Sequence, residues 1–504
     1  MWLKTKIVSG MALPKTLRDF LPGLTPEQRE AGERRLFAAG IHKKYPISDD
    51  LWAVLVVHNA QAIKLKETLG EDSYGAWEAL ECILSVRPEF AKQIDMFIEP
   101  FEKIKQAAGW CAISAFQAVG KIIKIRPDLA ERLEILVEPI RLIAEFGQGS
   151  LSFNYLSFGD IIKEHPVLAD RTAGLLEITQ AVGPEAFSAY TILSFMLKAR
   201  PELAKDLGIF ADPLKDVLAS IGDNIKGAYR LFEIVFAVRA DLADKPDIFI
   251  ELFEEIKRFQ GDDHDQYFIL EVLGGIVKAR PDLAEKLVVF LGSFRKIEKD
   301  NGKKASGIYL VLGDIIEARP ELAEKIDVFV KPLVRICAIS WAGSWAVCRT
   351  VGEIIKVRPD LAENLEVFFK AFRQLKRVVW TKQKTVLEDA FEALVKFISS
   401  RPELADQLTA LIKIAVVTRS DAVGAYEALS LVFKARPGLA ENMDGFALLA
   451  EKFKARTVEI YWIILHMAEE ALLAEDNFYR VVQELLRDGE KALQRLREKK
   501  NAVQ

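Results

Sequence analysis

Residues that do chemistry are scarce in this chain. Its 504 residues include only five histidines and four cysteines. The histidines, His42, His58, His165, His264 and His466, stand far apart, with no helical His pair and no Cys–His spacing that suits zinc. No phosphate loop, dinucleotide-binding glycine motif or nucleophile elbow occurs, so the expectation is a non-enzymatic protein without a cofactor or metal. Cys82, Cys111, Cys337 and Cys348 all fall inside helical patterns. They read as small buried hydrophobes in a reducing compartment, not as a disulfide frame. No apolar run approaches the roughly 20 residues that span a bilayer. The run from Ile7 to Leu13 is short and ends at Pro14, a poor signal peptide, so the expected location is cytoplasmic, with no membrane partner. Charge of one sign is also lacking. The 69 basic and 73 acidic residues leave a net charge of −4, without the global footprint of a polyanion binder. Asparagine and glutamine together number 23, while Glu and Lys abound, a composition that points toward a thermophilic source.

What the chain has in abundance is repetition. An Arg-Pro pair stands at Arg87, Arg126, Arg200, Arg280, Arg319, Arg358, Arg401 and Arg436, and degenerate copies stand at His165-Pro166 and Arg239-Ala240. Successive slots lie 39, 39, 35, 39, 41, 39, 39, 43 and 35 residues apart. A fixed period of this size marks a repeat array and outranks every local signal. Each unit reads as one helix ending at the arginine and a second beginning at the proline, where a missing N–H costs nothing. Leu322, Ile326, Phe329 and Leu333 make one buried face of the second helix. Pro100, Pro139, Pro213 and Pro332, twelve residues after the first proline, should kink or split that helix.

The first helix has columns of its own. Ten residues before the slots stand Trp77, Phe116, Tyr155, Tyr190, Tyr229, Tyr309, Phe391 and Tyr426, with Leu270 and Cys348 as exceptions, and the column reads as core. Six before it stand small residues, among them Gly120, Gly159, Gly274, Gly313 and Gly352, which suggest close helix approach. The arginines themselves, at a tight turn shared by every unit, read as structural. They can satisfy helix carbonyls and pair with acids of the neighbouring unit.

Two helices per unit of about forty residues, with a proline-bent helix, resemble the HEAT branch of the HEAT/armadillo α-solenoids over roughly residues 73 to 450. The Asp and Arg usual in HEAT units are not cleanly repeated; the Arg-Pro-acid turn is this chain's own hallmark. The resemblance implies an all-α, right-handed α-solenoid of about ten helical hairpins of about 39 residues each. Residues 1–72 would form an atypical N-terminal cap with an eroded repeat, and 451–504 a closing C-terminal cap. It also implies a protein or peptide partner bound along inner helices. If the helix before each Arg-Pro pair is the inner one, its exposed stripe lies nine, five and two residues upstream. That stripe contains Gln117, Lys121 and Lys124, then Glu271 and Lys278, then Arg349, Glu353 and Lys356, then Glu427 and Lys434.

Two rival readings rest on other residues. The stretch Lys370, Arg373, Lys376, Arg377, Trp380, Lys382 and Lys384 carries no acid. Basic residues around an aromatic can track a nucleic-acid backbone and stack on a base. That reading makes the chain a nucleic-acid binder, with the HEAT-like DNA glycosylases as an enzymatic branch. The other rival is self-association into larger objects through end caps or edges. The acidic run Asp262-Asp263-His264-Asp265 lacks the glycine turn and distal glutamate of a calcium loop and reads as a solvated connector.

Overall fold

A computed structural model describes residues 64–489 apart from 148–149, 260–262, 302–304, 340–343, 374–383 and 470–474, with residues 491, 494, 495 and 498 beyond. Every regular element among the described residues is helical. They fall into two compact units, one reaching Ser220 and including Ala240–Ile250, the other comprising Ile221–Arg239 and everything from Glu251.

In the first unit the helices preceding each slot are α1 (Ser73–Val86), α3 (Ala112–Ile125), α5 (Leu151–Glu164) and α7 (Ala186–Ala199). The helices following the slots are α2 (Ile98–Ala108), α4 (Val137–Phe146), α6 (Thr172–Val182) and α8 (Ala211–Ile221, whose last residue belongs to the second unit). First helices pack on first helices, α1 on α3 on α5 on α7, and second helices on second, α2 on α4 on α6. The second unit repeats the scheme. Its first helices are α9 (Ile225–Val238), α11 (Asp263–Ala279), α13 (Ala305–Ala318), α15 (Ser344–Val357), α17 (Lys384–Ser400), α19 (Ala422–Ala435) and α21 (Thr457–Glu469). After α10 (Ile250–Lys257), its second helices are α12 (Val288–Asn301), α14 (Ile326–Cys337), α16 (Glu366–Phe372), α18 (Leu408–Thr418), α20 (Met443–Phe453) and α22 (Glu475–Asp488). Each helix thus meets chiefly its hairpin mate and its counterparts in adjacent repeats, the nearest-neighbour packing of a helical repeat protein.

The slot turn follows from its three residues. Arg319 donates its backbone N–H to Ile315 (2.8 Å) and then leaves the helix at φ −139°, ψ 78°. The following proline disfavours helical geometry in the residue before it. Leu322 N–H then bonds back to Arg319 O at 3.0 Å. The proline therefore opens a 3-10 turn, Pro320–Lys325, and not the α-helix expected from the sequence. The expected apolar face survives, since Leu322, Ile326, Phe329 and Leu333 are all buried. Pro100, Pro139 and Pro213 occupy the third residue of α2, α4 and α8, inside the first turn, where the N–H has no helical partner anyway. The proline segments are thus split, not bent. Only α14 starts early enough to enclose Pro332.

Six of the eight aromatic-column residues are core, Trp77 and Tyr229 being half-exposed. Four of the column's tyrosines, joined by Tyr461, also do a polar job. Tyr155, Tyr190, Tyr309, Tyr426 and Tyr461 each donate to a carbonyl fifteen residues earlier, on the preceding second helix. The distances run from 2.7 Å (Tyr461 to Phe446) to 3.4 Å (Tyr309 to Phe294). Burial pushes all five phenols up, so they remain donors at any physiological pH. The small column allows close approach as expected. A Cβ on Gly159 would lie 2.9 Å from the Ala118 Cα.

One expectation fails. Cys337, the last residue of α14, and Cys348, on the second turn of α15, form a disulfide with Cα atoms 6.4 Å apart. Both belong to helical patterns, as read. Only the hairpin joining the helices, which periodicity does not specify, brings the two sulfurs together. Cys82 and Cys111 remain thiols.

Candidate binding face

The repeated arginines are committed to the architecture. Arg126 pairs with Asp128 two residues on and with Asp170 of the next repeat, both at 2.7 Å. Arg358 pairs with Asp360 (2.7 Å) and Asp406 (3.0 Å) and also donates to the Pro402 carbonyl (3.0 Å). Arg87, Arg200, Arg280 and Arg319 repeat the double pairing with Glu89 and Glu131, Glu202 and Asp244, Asp282 and Glu324, and Glu321 and Glu363. Arg239 reaches Glu285 and the Pro281 carbonyl in the same way. In every case the second partner sits five residues after the following slot. Arg401 makes the local pair alone, with Glu403 at 2.7 Å. His165 makes neither, and its surroundings change with it. The position two residues on is Val167, and the position five after the next slot is Lys205. Burial holds the His165 imidazole below its ordinary value, and its Nε2 is buried without a hydrogen-bond partner.

One side of the first helices, reaching to within two residues of the slot, presents the stripe read from the sequence. Lys124, Lys278, Arg349, Lys356, Glu427 and Lys434 are exposed, and Gln117, Lys121, Glu271 and Glu353 half-exposed. Several are tied to neighbouring repeats. Gln117 donates to Glu78 at 3.1 Å and Lys121 to Asp160 at 2.7 Å, each across 39 residues. Lys356 pairs with Asp314 (2.7 Å) and Glu353 (3.4 Å). Burial raises the Asp314 carboxyl even against that lysine, while Asp314 keeps Lys356 firmly protonated. Arg349 lies 5.6 Å over the Trp345 ring. Glu271, Lys278, Glu427 and Lys434 sit on the same face at the same register.

Sequence reasoning missed the continuation of this face. Four residues above the stripe, thirteen before the slot, stand Tyr74, Ile113, Phe187, Trp345 and Val423, all exposed. In α5 the ring shifts one place to Phe153. The recurring spacing was available, but an aromatic residue at helical spacing is core far more often than surface, and the buried column ten upstream absorbed that expectation.

Of the basic connector, Lys370 and Arg373 are exposed at the end of α16, and Lys384 opens α17. Lys376, Arg377, Trp380 and Lys382 lie outside the described residues. Among the described residues no group of His, Cys, Asp or Glu is placed to hold a metal ion, and no helix is long and apolar enough to cross a membrane. In comparisons with known proteins, no family model, no curated protein and no solved structure matches the chain.

Proposed function

We propose that this chain is a non-enzymatic scaffold, a right-handed HEAT-like α-solenoid of about ten hairpins that holds a protein or peptide along its first helices. The observation that carries this reading is the contrast between the slot turns and one side of the first helices. At the slot turns, cations and acids neutralise one another from repeat to repeat. Along the first helices, the same registers present exposed side chains of mixed chemistry, the composition of a polypeptide-binding surface. The setting is cytoplasmic. A disulfide there agrees with the amide-poor, Glu- and Lys-rich composition, because intracellular proteins of hyperthermophiles carry such bridges.

The test is affinity capture by the tagged full chain from source lysate, with and without nuclease. The scaffold reading expects a polypeptide partner that persists through nuclease. It also expects that partner to be lost when Glu271, Arg349, Glu353 and Glu427 are replaced together by alanine. Capture that vanishes with nuclease would instead favour nucleic-acid binding through Lys370 and its neighbours. A large homogeneous particle formed by the purified chain alone would favour self-assembly.

A further inference from the structure

The first unit carries an apolar strip that its own fold does not use. Tyr74 is 63% exposed, Trp110 78%, Ile113 40%, Phe153 63% and Phe187 36%. They come from four successive repeats, whose first helices pack on one another. A Cβ on Gly75 would meet the Ile113 Cα at 2.8 Å. Cys111 Sγ lies 3.4 Å from Ser152 Oγ, and Phe187 N–H donates to Asn154 Oδ1 at 2.8 Å. The Phe153 and Phe187 rings are 5.8 Å apart. Beside Trp110 a cavity of about 420 Å³ opens between Gln106, Ala107, Ala144 and Leu151. Exposed aromatic anchors next to a groove are what binding hot spots are made of, whereas a monomer gains nothing by leaving them in water.

Charge on the same face says what should cover it. Registers thirteen, nine, five and two before the slot share one side of each first helix. At the far end stand Lys124, Lys163 and Lys198, all exposed, Lys198 paired with Glu164 at 3.2 Å. On the other margin, in the turns before α1 and α7, stand Glu71 and Glu185. Eleven residues separate the strip from the lysine row, about 16 Å along the helix axis. That width accommodates an α-helix of about 10–12 Å diameter lying across the stack, its flanks within reach of both rows. Four stacked helices at about 8–10 Å spacing make a track of roughly 25–30 Å, or about 17–20 residues of helix.

We propose that the first unit binds an amphipathic helix of another protein, with apolar residues seated on Tyr74, Ile113, Phe153 and Phe187 and an acidic flank against Lys124, Lys163 and Lys198. This rests on the scaffold reading and specifies its ligand. Two stapled 18-residue helical peptides test it, both with leucines on one face, one with glutamates along a flank and one with lysines there. Fluorescence anisotropy against the full chain is expected to show the glutamate peptide binding at least about tenfold more tightly. Phe153→Ser with Phe187→Ser should weaken it about tenfold or more, since buried anchors dominate such contacts. Lys124→Glu with Lys163→Glu should invert the preference. All these residues are exposed, and circular dichroism verifies that the variants stay folded. Equal binding of the two peptides, no binding, indifference to both variant pairs, or a strip occupied by a second copy in sedimentation would each overturn the proposal. If it falls while nuclease-resistant capture from lysate succeeds, the scaffold reading stands with its site elsewhere; if capture fails too, both fall.

Discussion

Two residues hold a backbone conformation that suits glycine. Arg419 (φ 52°, ψ −111°) and Lys454 (φ 47°, ψ −111°) end α18 and α20 where Gly109 and Gly183 end α2 and α6. Side chains in such regions cost about 1–3 kcal/mol. Lys454, which is exposed, gives the cleaner test: Lys454→Gly should raise stability by about 1 kcal/mol in urea titration. The broken rung offers a second prediction. His165→Arg alone should bring no gain, because Lys205 and Val167 stand where the other rungs have acids. His165→Arg combined with Val167→Glu and Lys205→Glu should raise the melting temperature above both wild type and the single variant. At an intact rung, Arg358→Ala should cost about 1 kcal/mol, the scale of partly exposed ion pairs.

At the scale of the helix, the tyrosine hydroxyls and the small column set the register of one hairpin against the next. Tyr426 donates to Leu411 at 2.8 Å from a fully enclosed position. Tyr426→Phe should therefore cost about 1 kcal/mol while keeping the ring's packing. Gly159→Ala should cost about 1–3 kcal/mol, because its methyl would press on backbone and not on a side chain that can turn away. Both are read from thermal or urea unfolding of the full chain. Much of this was legible in the sequence, because period, proline and apolar spacing are local signals. The aromatic column is an example: the burial of six of its eight residues follows from spacing alone. Which carbonyl each hydroxyl meets does not, since that partner lies on another helix. The 3-10 turns and the Cys337–Cys348 bridge escaped for the same reason, being set by how hairpins close. The stripe of Lys121 and Lys356 was legible as exposed, but not its links to Asp160 and Asp314. Nothing in the spacing of Tyr74, Ile113 and Phe187 distinguishes a surface strip from a second buried column.

Across the whole molecule the ladder couples stability to acid. Arginine partners hold Glu89, Asp128, Asp170, Glu202, Asp282, Glu321 and Asp360 below their ordinary carboxylate range. A carboxyl depressed in the fold adds stability that is complete above its unfolded value of roughly 4 and disappears as pH falls through the lowered one. Urea midpoints should therefore hold down to about pH 5 and fall steeply below about pH 4. Asp314 runs oppositely. Burial raises it, so its contribution is present at low pH and lost as pH climbs through its raised value; Asp314→Asn should not lower the neutral midpoint. The ladder is also one-directional: wherever an arginine has a cross-repeat acid, the arginine belongs to one hairpin and the acid to the hairpin after it. Slots separated by 41 or 43 residues still find that acid, as in Arg239 with Glu285 and Arg358 with Asp406, because only the offset inside the turn is held constant. At the last slot no further turn follows, and Arg436 donates instead to the Ala468 carbonyl of α21 at 3.2 Å. The chain is thus written in interchangeable words with a directed link and a full stop. A 39-residue word such as 281–319 could be deleted or doubled without orphaning a slot arginine, leaving Arg280 to take up Glu321 and Glu363.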